Sequence, residues 1–326
     1  MRPPRSRRFI LSCVLASTGI GLSTRTQAQE FPVKPLKIVV GFGPGVGSEV
    51  ATRVLADLLV KELGQSVVVE NKPGASSMIG VNYVAQAPKD GYTVLMLNIQ
   101  QYNNYLMYKN VAYKPSDFIP FAGGGILSLV MMTNKNVPSG SVREFVDYAK
   151  ANPGKLNFGF WGAGGSPHIM GIRMQAVTGI KMEAVGYKDV AQATTDLLSG
   201  RIHMFFTSAL HGLSLAQNGQ ANLVAIGTQR RLPTLPHTPT FEESGVQGLP
   251  TVWWGYAVPA GTPPDVVAKL ERAFKAAMAT PRYQQLLADS ASAPLNFESP
   301  QKMAEFIERE SDRWAQAILP LNLKFD

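Results

Sequence analysis

The segment from Lys37 to Gly74 constrains the fold more than any other part of the chain. Leu36–Phe42 is a continuous apolar run, the pattern of a strand covered on both faces. A glycine-rich turn follows, Gly43-Pro44-Gly45-Val46-Gly47, and then Ser48, a residue suited to cap a helix. Val50, Val54, Leu55, Leu58, Leu59 and Leu63 recur at helical spacing, and Gly64 ends the helix. Ser66–Glu70 reads as a second strand, Ile79–Ala87 as a helix, Asp90-Gly91 as a turn and Tyr92–Leu97 as a third strand. This β-α-β-α-β order implies an α/β fold with a parallel, doubly wound sheet. A glycine turn that feeds a helix turns unpaired N–H groups and the positive end of the helix dipole toward an anion, which leaves phosphate and carboxylate as the two candidates.

A second set repeats the design. Strands are expected at Ile126–Thr133, Leu156–Phe160, Met182–Gly186, Ile202–Phe206 and Leu223–Gly227, with helices at Val142–Ala151, Ser166–Thr178 and Ala191–Leu198. Gly162–Gly165 is its glycine turn, with Ser166 read as the helix cap. Gln229–Gly245 is a proline- and threonine-rich surface connection, followed by a strand at Val252–Val258 that starts with Trp253 and Trp254. Thr262-Pro263-Pro264-Asp265 starts a helix that buries Val266, Val267, Leu270, Phe274 and Met278. Ser299-Pro300 starts the last helix, burying Met303, Phe306, Ile307, Trp314 and Ile318. The chain is expected to cross between two domains near Ile126–Thr133 and again near Val252–Val258, with at least one tryptophan packing at the hinge.

The amino end carries an export signal. Arg2, Arg5, Arg7 and Arg8 precede an apolar run from Phe9 to about Leu22, and Thr26-Gln27-Ala28 is a small-residue cleavage pattern. Arg7-Arg8 also fits a twin-arginine signal, so the export route is Sec or Tat. Removing that signal takes five arginines and no acid with it, so the net charge falls from +8 to +3. Nucleic-acid binding thereby loses its main support. The single cysteine, Cys13, also lies in the signal, so the mature chain uses neither disulfide nor thiol chemistry.

The nucleotide reading fails in detail. Gly41 and Gly43 fit the first two positions of G-x-G-x-x-G, but Val46 stands at the third, and Pro44 lacks an N–H where a pyrophosphate needs one. Catalytic readings are weaker still. The four histidines (168, 203, 211 and 237) form no zinc motif, and His168 replaces the last glycine of a nucleophile elbow at Gly164-Gly165-Ser166-Pro167-His168. No cofactor, metal or catalytic residue is expected. The carboxylate reading survives: Gly43–Ser48 and Gly162–Ser166 each offer backbone N–H groups, and if both face one cleft they suit an anion held from two sides. Each charge-assisted bond contributes about 1.5–3 kcal/mol without an arginine. Glu49 at the helix start is read as dipole compensation.

Several motifs in order carry a family resemblance over nearly all of the mature chain. They include Phe31-Pro32-Val33-Lys34-Pro35, Gly43-Pro44-Gly45, Val69-Glu70-Asn71-Lys72-Pro73-Gly74-Ala75, Lys89-Asp90-Gly91-Tyr92-Thr93 and Asp117-Phe118-Ile119-Pro120. Gly164-Gly165-Ser166-Pro167-His168, Gly186-Tyr187-Lys188, Asp196-Leu197-Leu198-Ser199-Gly200, Pro239-Thr240-Phe241-Glu242 and Pro259-Ala260-Gly261-Thr262-Pro263 complete them. The chain resembles the Bug family, periplasmic solute receptors of the tripartite tricarboxylate transporter system. The resemblance implies a two-domain periplasmic-binding-protein clamshell, each domain a mostly parallel sheet flanked by helices. The signal would be residues 1–28, the first domain residues 29–128 with 252–326, and the second residues 129–251.

The resemblance also implies a receptor that is not an enzyme and that hands a small carboxylate to membrane permease subunits. A signalling receptor and a secreted hydrolase using Ser166 and His168 are the alternatives. The protein is expected to act as a monomer and to bind no nucleic acid. The candidate ligand-binding residues are Phe42, Gly43, Pro44, Gly45, Val46, Gly47, Ser48, Asn98, Phe160, Trp161, Ala163, Gly164, Ser166, His168, Tyr187, Asp189 and Ser208. The chain departs from the family at Val46, at Glu49 and at Asp189, an aspartate that would repel a carboxylate, cap a helix or take a ligand's donor group. Phe160-Trp161 stands where the resemblance implies small residues in most relatives. Two aromatic rings there would stack on a flat ligand such as terephthalate, or pack between the domains.

Overall fold

The computed structural model describes residues 31–44, 47–161, 164–188 and 190–324. The expected signal, with its cleavage site, lies outside the described residues, as do Gly45, Val46, Ala163 and Asp189. In chain order the elements begin β1 (Leu36–Val40), α1 (Gly47–Leu63), β2 (Val67–Asn71), α2 (Met78–Ala85), β3 (Thr93–Asn98), α3 (Gln100–Met107) and β4 (Phe118–Leu127). Next come β5 (Leu129–Thr133), α4 (Val142–Ala151), β6 (Leu156–Trp161), α5 (Ser166–Thr178), β7 (Met182–Tyr187), α6 (Val190–Ser199), β8 (Met204–Ser208), α7 (Ala209–Gln217) and β9 (Asn222–Ile226). The chain closes with β10 (Val252–Pro259), α8 (Pro264–Met278), α9 (Pro281–Asp289) and α10 (Pro300–Ile318).

Two five-stranded sheets result, ordered β2-β1-β3-β10-β4 and β7-β6-β8-β5-β9. Their designs match. In the first, β1 pairs parallel with β2 and β3, while β10 runs antiparallel between β3 and β4. In the second, β6 pairs parallel with β7 and β8, while β5 runs antiparallel between β8 and β9. Four strands of each sheet therefore point one way and one points back, so each sheet is mixed rather than fully parallel. The reversed strands are the two that enter from the other sheet.

The core follows the periodicity in most places. Helix α1 buries Ala51, Leu55, Leu59 and Leu63 against the first sheet, but Val50, expected in that stripe, is exposed. Helix α10 buries all five expected residues, Met303, Phe306, Ile307, Trp314 and Ile318. At about 1.5–3 kcal/mol for each fully buried large apolar side chain, this face holds α10 to the first sheet after the chain returns. Helix α8 buries Leu270, Phe274 and Met278 in full.

The expected strand Ile126–Thr133 is two strands, broken at Ser128. Strand β4 begins well before it and runs through Pro120 and three glycines. The glycines are required by packing: a Cβ on Gly124 or Gly125 would overlap the Trp254 ring. Both tryptophans are buried at the head of β10. Trp253 packs against Tyr102 of α3, Phe306 of α10 and the cluster that includes Ile169 of α5.

Registers show how the sheets join. Leu129, the first residue of β5, pairs with Ser208 at the end of β8. Val252, the first residue of β10, pairs with Leu127 at the end of β4. Trp254 pairs with Asn98 at the end of β3. The Ser128 crossing and the return into β10 therefore both lie at the carboxyl ends of the aligned strands, in both sheets. The junction of the two sheets thus lies at the strand ends where open α/β sheets bind ligands.

Candidate ligand-binding cleft

Six strand-to-helix turns open at these carboxyl ends: β1–α1, β2–α2 and β3–α3 from the first sheet, and β6–α5, β7–α6 and β8–α7 from the second. Every described candidate residue lies on or beside five of them. The sixth, β2–α2, was not among the candidates, although its Asn71-Lys72-Pro73-Gly74-Ala75 sequence carried part of the resemblance. It ends β2 as Phe42–Ser48 ends β1, and that equivalence was the available signal.

The first turn is held from behind. Glu49 is only 1% exposed. Its carboxylate accepts from Arg53 Nε at 2.5 Å and from Asn71 Nδ2 at 3.4 Å. Asn71 Nδ2 also donates to the Phe42 carbonyl at 2.8 Å, and Arg53 donates to Asn71 Oδ1 at 2.6 Å. Glu49 therefore does more than offset a dipole: it anchors a network that fixes the β1–α1 turn to the end of β2. Ser48 is not a cap, because α1 starts at Gly47. The Ser48 carbonyl accepts from Thr52 Oγ1 at 2.8 Å, and that hydroxyl lies 3.1 Å from the buried Tyr256 hydroxyl.

The β2–α2 turn packs directly on this one. A Cβ at Gly41 would collide with Ser77. Ala75, Ser76 and Ser77 sit in the left-handed region at φ 44°, 51° and 67°. Ser76 shares a 2.6 Å hydrogen bond with the Tyr108 hydroxyl, and Ser77 Oγ accepts from Gln101 at 3.3 Å. The third turn is closed by Asn98, whose N–H donates to Gln101 Oε1 and whose Oδ1 accepts from Gln100 N.

In the second sheet, Phe160 and Trp161 point to opposite faces, as successive strand residues must. Phe160 stacks on His168 with centroids 3.9 Å apart and packs with Phe158. Trp161, partly exposed, meets Phe205 edge-on across the other face. The two rings therefore cannot stack on one ligand together. Ser166 is not a cap: Gly165 holds that position, and no side chain caps α5. His168 Nδ1 accepts from Gly164 N at 3.1 Å, and burial pushes the ring's pKa down.

Tyr187 donates its hydroxyl to Asp196 at 2.9 Å, and burial followed by that bond pushes its pKa up to about 12. Its hydroxyl is thus committed to α6, which leaves the main chain as its contribution to the turn. Ser208 caps α7 by accepting from His211 N. Among the described residues of the six turns, the cations are Lys72, held by Glu70 at 2.6 Å, and the exposed Lys188. An anion here would be met chiefly by N–H groups, hydroxyls and helix amino ends.

Ser166 and His168 are two positions apart on one helix and do not face each other. With Nδ1 already occupied by Gly164, the pair lacks the geometry of a nucleophile and its base.

The tripartite tricarboxylate transporter family receptor model matches residues 51–323. The chain belongs to this family. It is therefore a solute-binding receptor. A UPF0065 protein of Cupriavidus necator is 31% identical over 312 residues, covering 92% of this chain and 93% of that one. The periplasmic binding protein BugD is 29% identical, with a TM-score of 0.70 over 90% of this chain and all of that one. An R. palustris protein solved with adipate is 30% identical, with a TM-score of 0.72 over 88% of this chain and 97% of that one. These likenesses bear out the two-domain α/β periplasmic-binding-protein fold. No helix among the described residues is long and apolar enough to cross a membrane.

Proposed function

We propose that the exported protein captures a small dicarboxylate in the crevice between its two sheets and delivers it, as a monomer in the periplasm, to the permease of a tripartite transporter. Residues 29–128 with 252–326 form one domain of the clamshell and residues 129–251 the other. The observation that carries this reading is the junction of both sheets at their carboxyl ends, where Asn98 and Ser208 flank the crossings and six turns open. Each carboxylate is met by the main chain of one sheet's turns, and a relative of this chain has been solved with the dicarboxylate adipate. Residues of the β2–α2 turn join the candidate set.

Of the Phe160–Trp161 pair, Phe160 is stacked on His168, so a flat dicarboxylate such as terephthalate stacks on Trp161 rather than between the two rings. Calorimetry of dialysed mature protein against succinate, adipate and terephthalate tests both levels. Binding of any one supports the carboxylate reading, and failure of all three contradicts it. Trp161→Ala is expected to weaken terephthalate more than adipate. Equal losses would remove the aromatic preference and leave the dicarboxylate.

A further inference from the structure

His168 is one of the candidate lining residues, and its contacts give it a structural task as well. The ring is buried, 9% exposed, and lies flat on Phe160 at 18° between planes. Its Nδ1 accepts the main-chain N–H of Gly164, a residue of the glycine turn that holds φ +76°. A nitrogen that accepts carries no proton, so the ring is neutral with its hydrogen on Nε2.

We propose that His168 is the positioning residue of the second glycine turn, and that protonating it releases Gly164 and lowers carboxylate affinity. The step is simple. A proton arriving at Nδ1 meets the Gly164 N–H head-on, donor against donor, so the hydrogen bond breaks and the turn must move. The surroundings oppose the charge in the same direction. His168 stands in the first turn of α5, where the positive end of the helix dipole disfavours a cation. Phe160 from β6 and Gly164 from the turn face the ring, and among the described residues no charged side chain forms a hydrogen bond or ion pair with it. Burial lowers the pKa of the ring. Neutral His168 thus holds the turn at neutral pH, and acidification dismantles it. The effect on affinity rests on the carboxylate reading above; the hydrogen bond itself does not.

Two measurements keep these separate. In ligand-free, isotope-labelled protein, NMR should show the Nε2–H tautomer with Nδ1 as acceptor at pH 7.5. The Gly164 amide resonance should move with the ring's titration below pH 6.5. An Nδ1–H tautomer, or a Gly164 amide indifferent to the titration, overturns the proposal whatever the protein binds. Calorimetry with adipate between pH 7.5 and 5.5 is the second arm. Losing one hydrogen bond that orders the turn corresponds to about a tenfold fall in affinity for the native protein. His168→Asn, whose Oδ1 can accept in place of Nδ1, should hold its affinity within about twofold across that range. An equal fall in both proteins overturns the proposal. Absence of adipate binding at every pH would count against the carboxylate reading alone, and the NMR result would still decide the role of His168.

Discussion

The network behind the first glycine turn makes a quantitative prediction through Arg53. Replacing it with Met keeps much of the aliphatic stem but deletes two hydrogen bonds, to Glu49 at 2.5 Å and to Asn71 at 2.6 Å. The partner left behind matters most, since Glu49 is a carboxylate only 1% exposed. Stranding one member of a fully buried ion pair costs about 3–5 kcal/mol. Arg53 is itself 48% exposed, so water screens the pair and the full penalty does not apply. One charge-assisted and one ordinary hydrogen bond then set the scale, and Arg53→Met should destabilise by about 2 kcal/mol. Glu49→Gln should cost about 1 kcal/mol, because the freed guanidinium can turn to solvent. The double variant should be less unstable than the two losses summed, with a coupling of about 1 kcal/mol. Urea denaturation of the four proteins measures the cycle. A coupling indistinguishable from zero would refute the claim that Glu49 and Arg53 hold the turn as a unit.

Other expectations follow from the same geometry. Ala75 is exposed at φ 44°, so Ala75→Gly should stabilise by about 1 kcal/mol in a thermal or urea melt, the left-handed penalty less glycine's extra chain entropy. Gly125→Ala would push a methyl group into the buried Trp254 ring and should cost about 1–3 kcal/mol in the same assay. Burial holds His168, His203 and His211 below their ordinary value of 6.5, so below that pH the folded protein binds fewer protons than the unfolded chain. Their contribution is therefore complete above pH 6.5 and is lost as the pH falls toward their lowered values, at up to about 1.4 kcal/mol per pH unit for each. Denaturation midpoints from pH 7.5 to 5 should show this slope, and substituting any one of the three by Asn should flatten it.

Much of the fold was legible because its strands and helices bury clean stripes. The α10 residues from Met303 to Ile318 illustrate this, as does the twofold repeat of strand, glycine turn and helix. What escaped had mixed local signals. Helix α3 reads Gln-Gln-Tyr-Asn-Asn-Tyr and is built on polar side chains whose partners, such as the Ser76 carbonyl for Asn104, are distant in sequence. Strand β4 contains Pro120 and three successive glycines, which argue against a strand until Trp254 is seen to fill their space. The single residue Ser128 between β4 and β5 hid a change of sheet inside one apolar run.

The strand-end positions of the candidate residues were legible, since the ends of parallel strands can be placed from the alternation alone. Their individual roles were not. Ser48 and Ser166 proved to sit inside their helices rather than at the caps. Phe160 and Trp161 separated to opposite faces, and the Tyr187 hydroxyl was committed to Asp196. Each outcome depends on side-chain geometry that the pattern of residue types does not specify.

The central claim is that the ligand lies at the carboxyl ends of both sheets and is gripped mainly by main chain. The most direct test is a crystal structure of the mature protein with adipate at saturating concentration. The account predicts adipate beside the crossings at Ser128 and Val252, one carboxylate meeting N–H groups of the β1–α1 turn and the other those of the β6–α5 turn. Adipate bound elsewhere, for example in the surface groove lined by Thr228, Arg230, Arg231 and Ala293, would contradict it.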